Sequence, residues 1–567
     1  MQVQMRQENR TYNVLMVDDE KLVCFTVAAF LRHTEFRLVT TNTVSEALHR
    51  LQHSKFDIII SDVVMESLDG FAFREEVRRA YPHLPFVFLT SMTNSSDNAF
   101  FLRIMDDLFS YYVPKDSGRE LLIRRLRQIA YAFDLHLQAH RQTQQIHENL
   151  KLASLVQHAV LPSWAYRSDA CEFSYLYRPL HKISGDLVEY YPLKPGRSGL
   201  FIIGDISGHG TQAALSMMAV QSLLLLTVKE ENVTHPEEIA RIVNQFLYDH
   251  LPEMVYMCAL IVYWDFEHNL LRMLNAGQPE MICLRASTGE ILPVNPDGRG
   301  TTPLGMFQDL AVSAEDVVEM TFPDDALFFT FTDGLLDLSR DEGGEQPMSI
   351  PGVLDIARQS LADIRPQDGL WSLPYRGFAR LADAGFTHLQ DDCTMLVIRK
   401  RLPEDDGSLT RCIPADPVAA DRLAAEFSAH VEQILHDSAL ATMVDLLLNE
   451  FLANVVQHGL DTQTRRHERL VVHCDPLQPG QDIRIVVWDH SRPWDSCRLR
   501  TPPIDEPNQR LDELNSANAI AGRGIPIMQV IARDIICNHY SRLNETIFVI
   551  PQTGEEPMAF PASLSLD

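Results

Sequence analysis

The sequence predicts a multidomain chain of α/β and α+β class. A doubly wound parallel sheet comes first, then a helical linker, a β-rich middle and a helix-over-sheet C-terminal part. Three observations carry this. The 567 residues suffice for three to five domains at ~100–200 residues each. Short apolar runs near the N-terminus stop abruptly at acids or hydroxyls, with helical patterns between them, as buried parallel strands do. Farther along, β-rich runs crowd together, and the last part opens with helices before turning to strands.

Composition narrows the function classes. At 46% hydrophobic and 22% charged, the chain is neither disordered nor fibrous. Its 49 Lys and Arg against 77 Asp and Glu give a net charge of −28, which argues against a nucleic-acid partner. No apolar run comes near the ~18 residues of a spanning helix, the first ten residues lack a secretory core, and the nine cysteines show no metal-ligand spacing. The expectation is a cytoplasmic protein with reduced thiols and no membrane partner.

The first strand, residues 12–17, ends at Asp18-Asp19-Glu20. Phe56 to Ile60 ends at Ser61-Asp62, and Phe86 to Leu89 ends at Thr90-Ser91, with helices over Val44–Leu51 and Phe71–Arg79. Ligands of such sheets sit beyond the carboxyl ends of the strands, where Asp18, Asp19, Asp62 and Thr90 fall. Crowded carboxylates call for a divalent cation, and oxygen ligands suit Mg2+. A carboxylate beside that ion can attack a phosphoryl donor. Asp18-Asp19 alone would read as helix caps. With Val63-Val64-Met65 and Asp69-Gly70 after Asp62, and Tyr112 three residues before Lys115, residues 11–130 resemble bacterial response-regulator receiver domains. The resemblance implies that Asp62 accepts the phosphoryl group and that Asp18 and Asp19 hold Mg2+ beside it. It implies further that Thr90 and Lys115 sense the phosphate, that Tyr112 is the switch aromatic, and that a sensor histidine kinase or phosphotransfer protein is the donor. Lys115-Asp116 stands where Lys-Pro is usual.

Residues 131–163 read as a helical linker. From Phe133 to Val160 there is no Gly or Pro, and Ala139, Ile146, Ala153 and Val160 recur every seven residues, as one coiled-coil seam position would. The partner position is polar at Gln142 and Asn149. The pattern suits either a homodimer seam or a signalling helix docked on its neighbours.

In the middle, Gly204-Asp205-Ile206-Ser207-Gly208-His209-Gly210 follows a buried strand and precedes a helix near Gln212. The glycines permit a tight turn, so ions can reach the Asp205 carboxylate from two sides. Asp186, Asp333 and the pair Asp391-Asp392 end other strands. Such a set suggests two cations sharing an activated water, with no Cys or Ser nucleophile. An isolated Asp-Gly is a turn, and His209 between glycines reads as a turn residue rather than a zinc ligand. Taken in order, Ser184-Gly185-Asp186, the Gly204–Gly210 segment, Asn275-Ala276-Gly277, Phe331-Thr332-Asp333-Gly334 and Asp391-Asp392-Cys393-Thr394 resemble the PPM-type serine/threonine phosphatases of bacterial stress and sporulation signalling, over residues 170–400. The resemblance implies a β-sandwich with flanking helices. It also implies two Mg2+ or Mn2+ ions held by Asp186, Asp205, Asp333 and either Asp391 or Asp392, with Ile206 beside Asp205 in the metal set. Gln278 replaces a usual His, and Ser184 a usual Gly.

Arg401 to Pro417 reads as a polar, proline-rich linker. Beyond it lie helices over Val418–His430 and Met443–Gln457 and strands over Leu470–His473 and Ile483–Trp488. Glu450 and Asn454 share one helix face, where a carboxylate can deprotonate a hydroxyl and an amide oxygen can ligate Mg2+. Asp489 ends a strand, and Gly522-Arg523-Gly524 opens a helix that can approach phosphates. Residues 415–550, within a domain bounded at 415–555, resemble the GHKL ATP-binding fold of small anti-sigma-factor serine kinases. Glu450 would be the base, Asn454 the Mg2+ ligand, Asp489 the adenine-reading acid, and Gly522 and Gly524 the lid glycines around ATP-Mg2+. Ser491 and Pro493 replace glycines of the usual Asp-x-Gly-x-Gly, and Pro493-Trp494-Asp495 echoes the anti-sigma branch.

The whole order resembles partner-switching response regulators of the HsbR type. That implies two opposed enzymes acting on a small STAS-type anti-sigma-factor antagonist. The alternative makes the C-terminal domain a non-catalytic, nucleotide-dependent module for a sigma or anti-sigma factor.

Overall fold

In the computed structural model the described residues are 10–552, apart from 66–68, 92–103, 105–106, 195, 209, 253, 342, 344–346, 366–367, 402–406, 461–464 and 494–523. They form two compact units, one up to Asn149 and one from Leu150 onward.

The first unit runs β1 (Tyr12–Val17), α1 (Lys21–Leu31), β2 (Phe36–Thr41), α2 (Val44–His53), β3 (Ile58–Asp62), α3 (Gly70–Ala80), β4 (Phe86–Thr90), β5 (Ser110–Pro114) and the start of α4 (Gly118–Val160). The sheet is parallel, in the order β2-β1-β3-β4-β5. Apolar strands such as Val14 to Val17 are fully buried because helices cover both faces. Cys24, Val27, Leu31 and Leu126 pack on one face, and Ala47, Leu51, Phe73 and Val77 on the other. Register brings the strand ends level, with Val17 opposite Ser61, Asp62 opposite Leu89 and Thr90 opposite Pro114. The helix expected from Phe133 already begins at Gly118, and its heptad residues Ala139 and Ile146 are exposed.

The second unit begins with β6 (Ala165–Arg167), β7 (Cys171–Arg178), β8 (Asp186–Pro192), β9 (Ser198–Ile206), α5 (Thr211–Lys229) and α6 (Pro236–His250). Next come β10 (Met257–Asp265), β11 (Leu270–Ala276), β12 (Ile282–Arg285), β13 (Ile291–Leu292), β14 (Val318–Thr321) and β15 (Ala326–Phe331). Helices α7 (Ile350–Ala362) and α8 (Leu373–Asp383) and strand β16 (Cys393–Lys400) complete a sandwich of two sheets, β14-β11-β10-β9-β8 and β13-β12-β15-β16-β7-β6.

The rest consists of β17 (Leu409–Pro414), α9 (Pro417–Leu435), α10 (Ser438–Asn454), β18 (Arg469–Cys474), β19 (Ile483–Asp489), α11 (Gly524–Ile531), β20 (Asp534–Tyr540) and β21 (Leu543–Ile550). Its sheet has the order β17-β18-β19-β21-β20. Part of the expected linker is therefore a strand, because β17 finds a partner in β18. Helix α10 starts five residues earlier than its apolar pattern suggested, capped by Asp437, whose carboxylate accepts from Leu440 N at 2.9 Å. It passes into a single π turn at Val455–Gly459. The helical stretches Thr211–Lys229 and Ser438–Gly459 both have the length and apolarity of a membrane span, at a mean hydropathy of 1.5. This corrects the expectation that no run comes close. Half of each is buried inside the fold.

The C-terminal sheet is covered on both faces. Val472, Ile485, Val487 and Phe548 pack against α9 and α10, whereas Val471, Val486, Trp488 and Leu543 join the sandwich core with Phe173 and Tyr375. Polar anchors sit at this second interface. Arg376 of α8 donates to both oxygens of Glu545 at 2.8 Å, and Trp488 Nε1 donates to the same carboxylate at 3.0 Å. Arg484 binds Asp368, and Arg365 binds Asp475 at 2.8 Å. Removing one partner strands a buried charge. Arg376→Ala should lower the unfolding free energy by about 3 kcal/mol, read from chemical denaturation of the full chain.

Candidate functional site

In the first unit the acids converge at the sheet's carboxyl edge. Asp18, Asp19 and Asp62 each bring an oxygen within 4.8 Å of the others. Lys115 Nζ lies 2.7 Å from Asp62 Oδ2 and 3.1 Å from Asp18 Oδ2. Thr90 is buried at the end of β4, and its carbonyl accepts from Lys115 N at 2.7 Å, which fixes the lysine's loop. Burial raises the Asp18 carboxyl, whose Oδ2 faces the Lys115 ammonium. A hard cation suits three such crowded carboxylates. Tyr112 lies on β5, half-exposed.

The second site occupies one end of the sandwich. Asp186 and Asp205 are direct cross-strand partners at the ends of β8 and β9, and both are buried. Asp333 opens a short 3-10 turn after β15, and Asp391 precedes β16. Burial pushes the Asp205 carboxyl up to about 8, with further pressure from Asp333, Asp391 and Asp392. Burial and then Asp205 push Asp186 well above its ordinary value, and Asp333 and Asp391 are raised too. Like charges held in low dielectric fit divalent cations as the neutralising group. Ile206 follows Asp205, fully buried, so only its main-chain carbonyl is a donor atom.

The neighbouring groups act differently. Both oxygens of Asp392 are taken by backbone, accepting from Leu180 N at 2.7 Å and Gly185 N at 2.8 Å. Asp186 Oδ2 accepts from the hydroxyls of Thr332, at 3.0 Å, and Thr394. The glycine of Asp333-Gly334 is steric in origin: a Cβ there would stand 1.9 Å from Asp392 O. Gln278 ties the Asn275-Ala276-Gly277 turn to β10 through Cys258 O at 3.1 Å. His209 lies outside the described residues.

Sequence reasoning missed the last turn of α4. Gln157, 2% exposed, donates to Ser184 O at 2.7 Å and accepts from Ser184 N at 3.0 Å, two residues before Asp186. Three residues farther along α4, Val160 O accepts from Gln221 at 3.1 Å, and Gln221 also donates to Glu189 of β8. Burial raises the Glu189 carboxyl to about 7, despite that amide. Nothing local in the sequence marks Gln157, whose partner lies 27 residues away.

In the C-terminal part Glu450 and Asn454 lie on the last turn of α10, both half-buried. Asp489 is fully buried. Its Oδ1 accepts from Ser491 N at 2.7 Å and Asn544 at 3.1 Å, while Oδ2 has no hydrogen-bond partner among the described residues. Burial raises it. That orphaned oxygen fits an external amino group as donor. The loop after Asp489 rests on the π turn, with Arg492 N donating to Gly459 O at 3.0 Å. Gly524 opens α11, whose Met528 is buried beside α10, whereas Gly522, Arg523, Trp494 and Asp495 lie outside the described residues. A further acid group, Asp368 with His473 and Asp475, already has Arg484 as its cation.

Three family models match, in order: the response regulator receiver domain at residues 14–127, stage II sporulation protein E (SpoIIE) at 195–401, and the histidine kinase-like ATPase domain at 413–550. Among relatives, the phosphoserine phosphatase RsbP of Bacillus subtilis is 26% identical over 173 residues, 30% of this chain and 41% of that protein. The response regulator SaeR of Staphylococcus aureus is 28% identical over 112 residues, 20% of this chain and 48% of that one. The chain thus spans less than half the length of these curated relatives. Among solved structures, the RsbU and RsbW domains of Rv1364c from Mycobacterium tuberculosis align at 18% identity and a TM-score of 0.36, covering 69% of this chain and 94% of that one. The chain carries a receiver domain, a SpoIIE-type phosphatase domain and a histidine kinase-like ATPase domain, in the order of partner-switching regulators.

Glu189 offers a test of the packing behind Asp186. An acid whose folded value is raised keeps its proton in the fold while the unfolded chain has already lost it. Its stabilising contribution is present below about pH 4 and is lost as pH rises through about 7. Glu189→Gln should therefore gain stability relative to the parent between pH 5 and 8, on the order of 3 kcal/mol by denaturation midpoints.

Proposed function

From that domain series we propose a receiver-regulated protein serine/threonine phosphatase that dephosphorylates a small STAS-type anti-sigma-factor antagonist. The ATPase-like domain rephosphorylates the same residue. The observation that carries the phosphatase reading is the buried cross-strand pair Asp186–Asp205, closed by Asp333 and Asp391. In this reading Asp186, Asp205, Asp333 and Asp391 hold two Mg2+ or Mn2+ ions together with the Ile206 carbonyl. Asp391 is the ligand of its pair, because both oxygens of Asp392 are engaged in bracing Leu180 and Gly185. When bound, the ions supply an activated water and a Lewis acid for the phosphoryl group. The chain's own work is positional. Thr332 and Thr394 orient Asp186, Asp392 and Gln157 hold the Ser184-Gly185 approach, and the cross-strand pairing of Asp186 with Asp205 fixes the spacing across which the ligands face each other.

In the C-terminal domain Glu450 would take the proton of the accepting hydroxyl, Asn454 would hold the Mg2+ of ATP, and Asp489 Oδ2 would receive the adenine amino group, which its lack of a partner among the described residues supports. Ser491 and Pro493 in the following loop keep open a second reading, a nucleotide-dependent module that binds a sigma or anti-sigma factor without turnover. One experiment decides. The phosphorylated antagonist is incubated with the full chain, ATP and Mn2+, and its phosphosite is followed by mass spectrometry. Asp205→Ala should leave the antagonist phosphorylated, as should EDTA. Asn454→Ala should leave it dephosphorylated at the same serine or threonine. No effect of Asn454→Ala selects the module reading, and full phosphatase activity in EDTA ends the metal mechanism.

The receiver supplies the input. Asp62 sits against Lys115 with Asp18 and Asp19 beside it, and a sensor histidine kinase or phosphotransfer protein is the donor class. Asp62→Asn should abolish labelling by acetyl phosphate, seen as loss of the slower band on phosphate-affinity gels. Undiminished labelling would move the acceptor elsewhere.

A further inference from the structure

A cavity of about 430 Å3 opens inside the second unit, where the last turn of α4, strand β7 and loops of the C-terminal domain meet. Its charge runs against a chain of net −28. Arg492 and Arg542 line it together with His158, His467 and His539. Neither arginine has an ion-pair partner among the described residues. In the same unit Arg376, Arg399 and Arg484 are all paired with acids. Arg178 donates to Ser541 Oγ at 3.3 Å and stacks 5.2 Å above the Phe378 ring.

The carboxylate that lines the cavity, Glu468, is engaged directly by a histidine rather than by either arginine. His490 Nδ1 lies 3.0 Å from Glu468 Oε2, and Nε2 lies 2.9 Å from the Tyr375 hydroxyl. That hydroxyl donates its proton to Tyr175 O at 2.8 Å, so Nε2 must donate to it. His490 thus holds the Glu468 carboxylate and the Tyr375 hydroxyl together. Among the described residues no acid stands within ion-pair distance of Arg492 or Arg542, although the field of Arg542 reaches Glu468.

The walls that α4 and β7 give the cavity lie on the sandwich side of the sheet, opposite Asp489, while Gly459 and the 491–493 loop border both the cavity and the ATPase site. Along β19, Val487 faces the helices and Trp488 faces the sandwich. Strand alternation therefore turns Asp489 toward the helices and His490 toward the sandwich. We propose that this cavity is a second anion site that takes a phosphorylated small molecule of nucleotide size, its phosphates gripped by Arg492 and Arg542. The volume falls in the ~300–1,000 Å3 range of small-molecule sites. Guanidinium forks match phosphate geometry, and a pair with no acid within ion-pair distance is the arrangement that a polyanion completes.

The test is calorimetric titration of the full chain in EDTA, which keeps divalent ions from bridging the anion to the aspartates. Pyrophosphate and ADP are the probes. Pyrophosphate should bind the parent, and the double variant Arg492→Ala/Arg542→Ala should lose affinity about tenfold or more. Asp489→Asn should bind pyrophosphate as the parent does. ADP binding more tightly than pyrophosphate, with the same dependence on the arginines, assigns a nucleotide. Equal affinities assign a free phosphoanion. The site is overturned if the parent binds neither probe at millimolar concentration or if the double variant binds as well as the parent. Arg542→Lys against Arg542→Glu repeats the comparison with minimal change in packing, and retained binding in the Glu variant also overturns it.

Discussion

Everything at the sandwich edge answers to one constraint: carboxylates brought out of water and toward one another repel. Asp186 and Asp205 are cross-strand neighbours, both buried. Holding them there requires scaffolding that does not itself neutralise. Thr332 and Thr394 give hydroxyl protons to Asp186, and Asp392 is used wholly to fasten two backbone amides. Gln157 closes the set from a helix outside the sandwich. Packed surroundings of this kind keep the crowding from being relieved by relaxation, and an opposite charge is what would relieve it.

The other two sites meet the same difficulty in different ways. In the receiver a lysine stands between two acids, so the site is already partly balanced. In the C-terminal domain a single buried acid, Asp489, satisfies one oxygen internally and leaves the other for a ligand. Crowding, pairing and orphaning are three degrees of incompleteness, each suited to a different guest.

Much of this was legible in the sequence. Apolar runs that end at Asp18, Asp62, Asp205 and Asp489 located strands and sites together, because a strand's end and its chemistry coincide in these folds. The five residues of helix gained at Ser438 were hidden because an Asp437 cap, not apolar periodicity, sets that start. Strand β17 was hidden because its polar, proline-flanked sequence is ordered only by a neighbour 50-odd residues on, Leu470 facing Ile413. The choice between Asp391 and Asp392 needed to know whose oxygens the backbone had claimed. Gln157 is an ordinary helix residue until Ser184 is placed against it.

The sheet of the C-terminal domain is buried on both sides, and this has a practical meaning for anyone cutting the chain into pieces. A fragment ending in the segment before β17 would lay bare the sandwich surface that now holds Trp488, Val486 and Leu543, and the complementary fragment would show those residues to water. Contiguous apolar patches of that kind promote association and precipitation. The junction between the two family matches, at residues 401–413, is not a boundary of solubility, and fragments cut along it inherit a sticky face on each half.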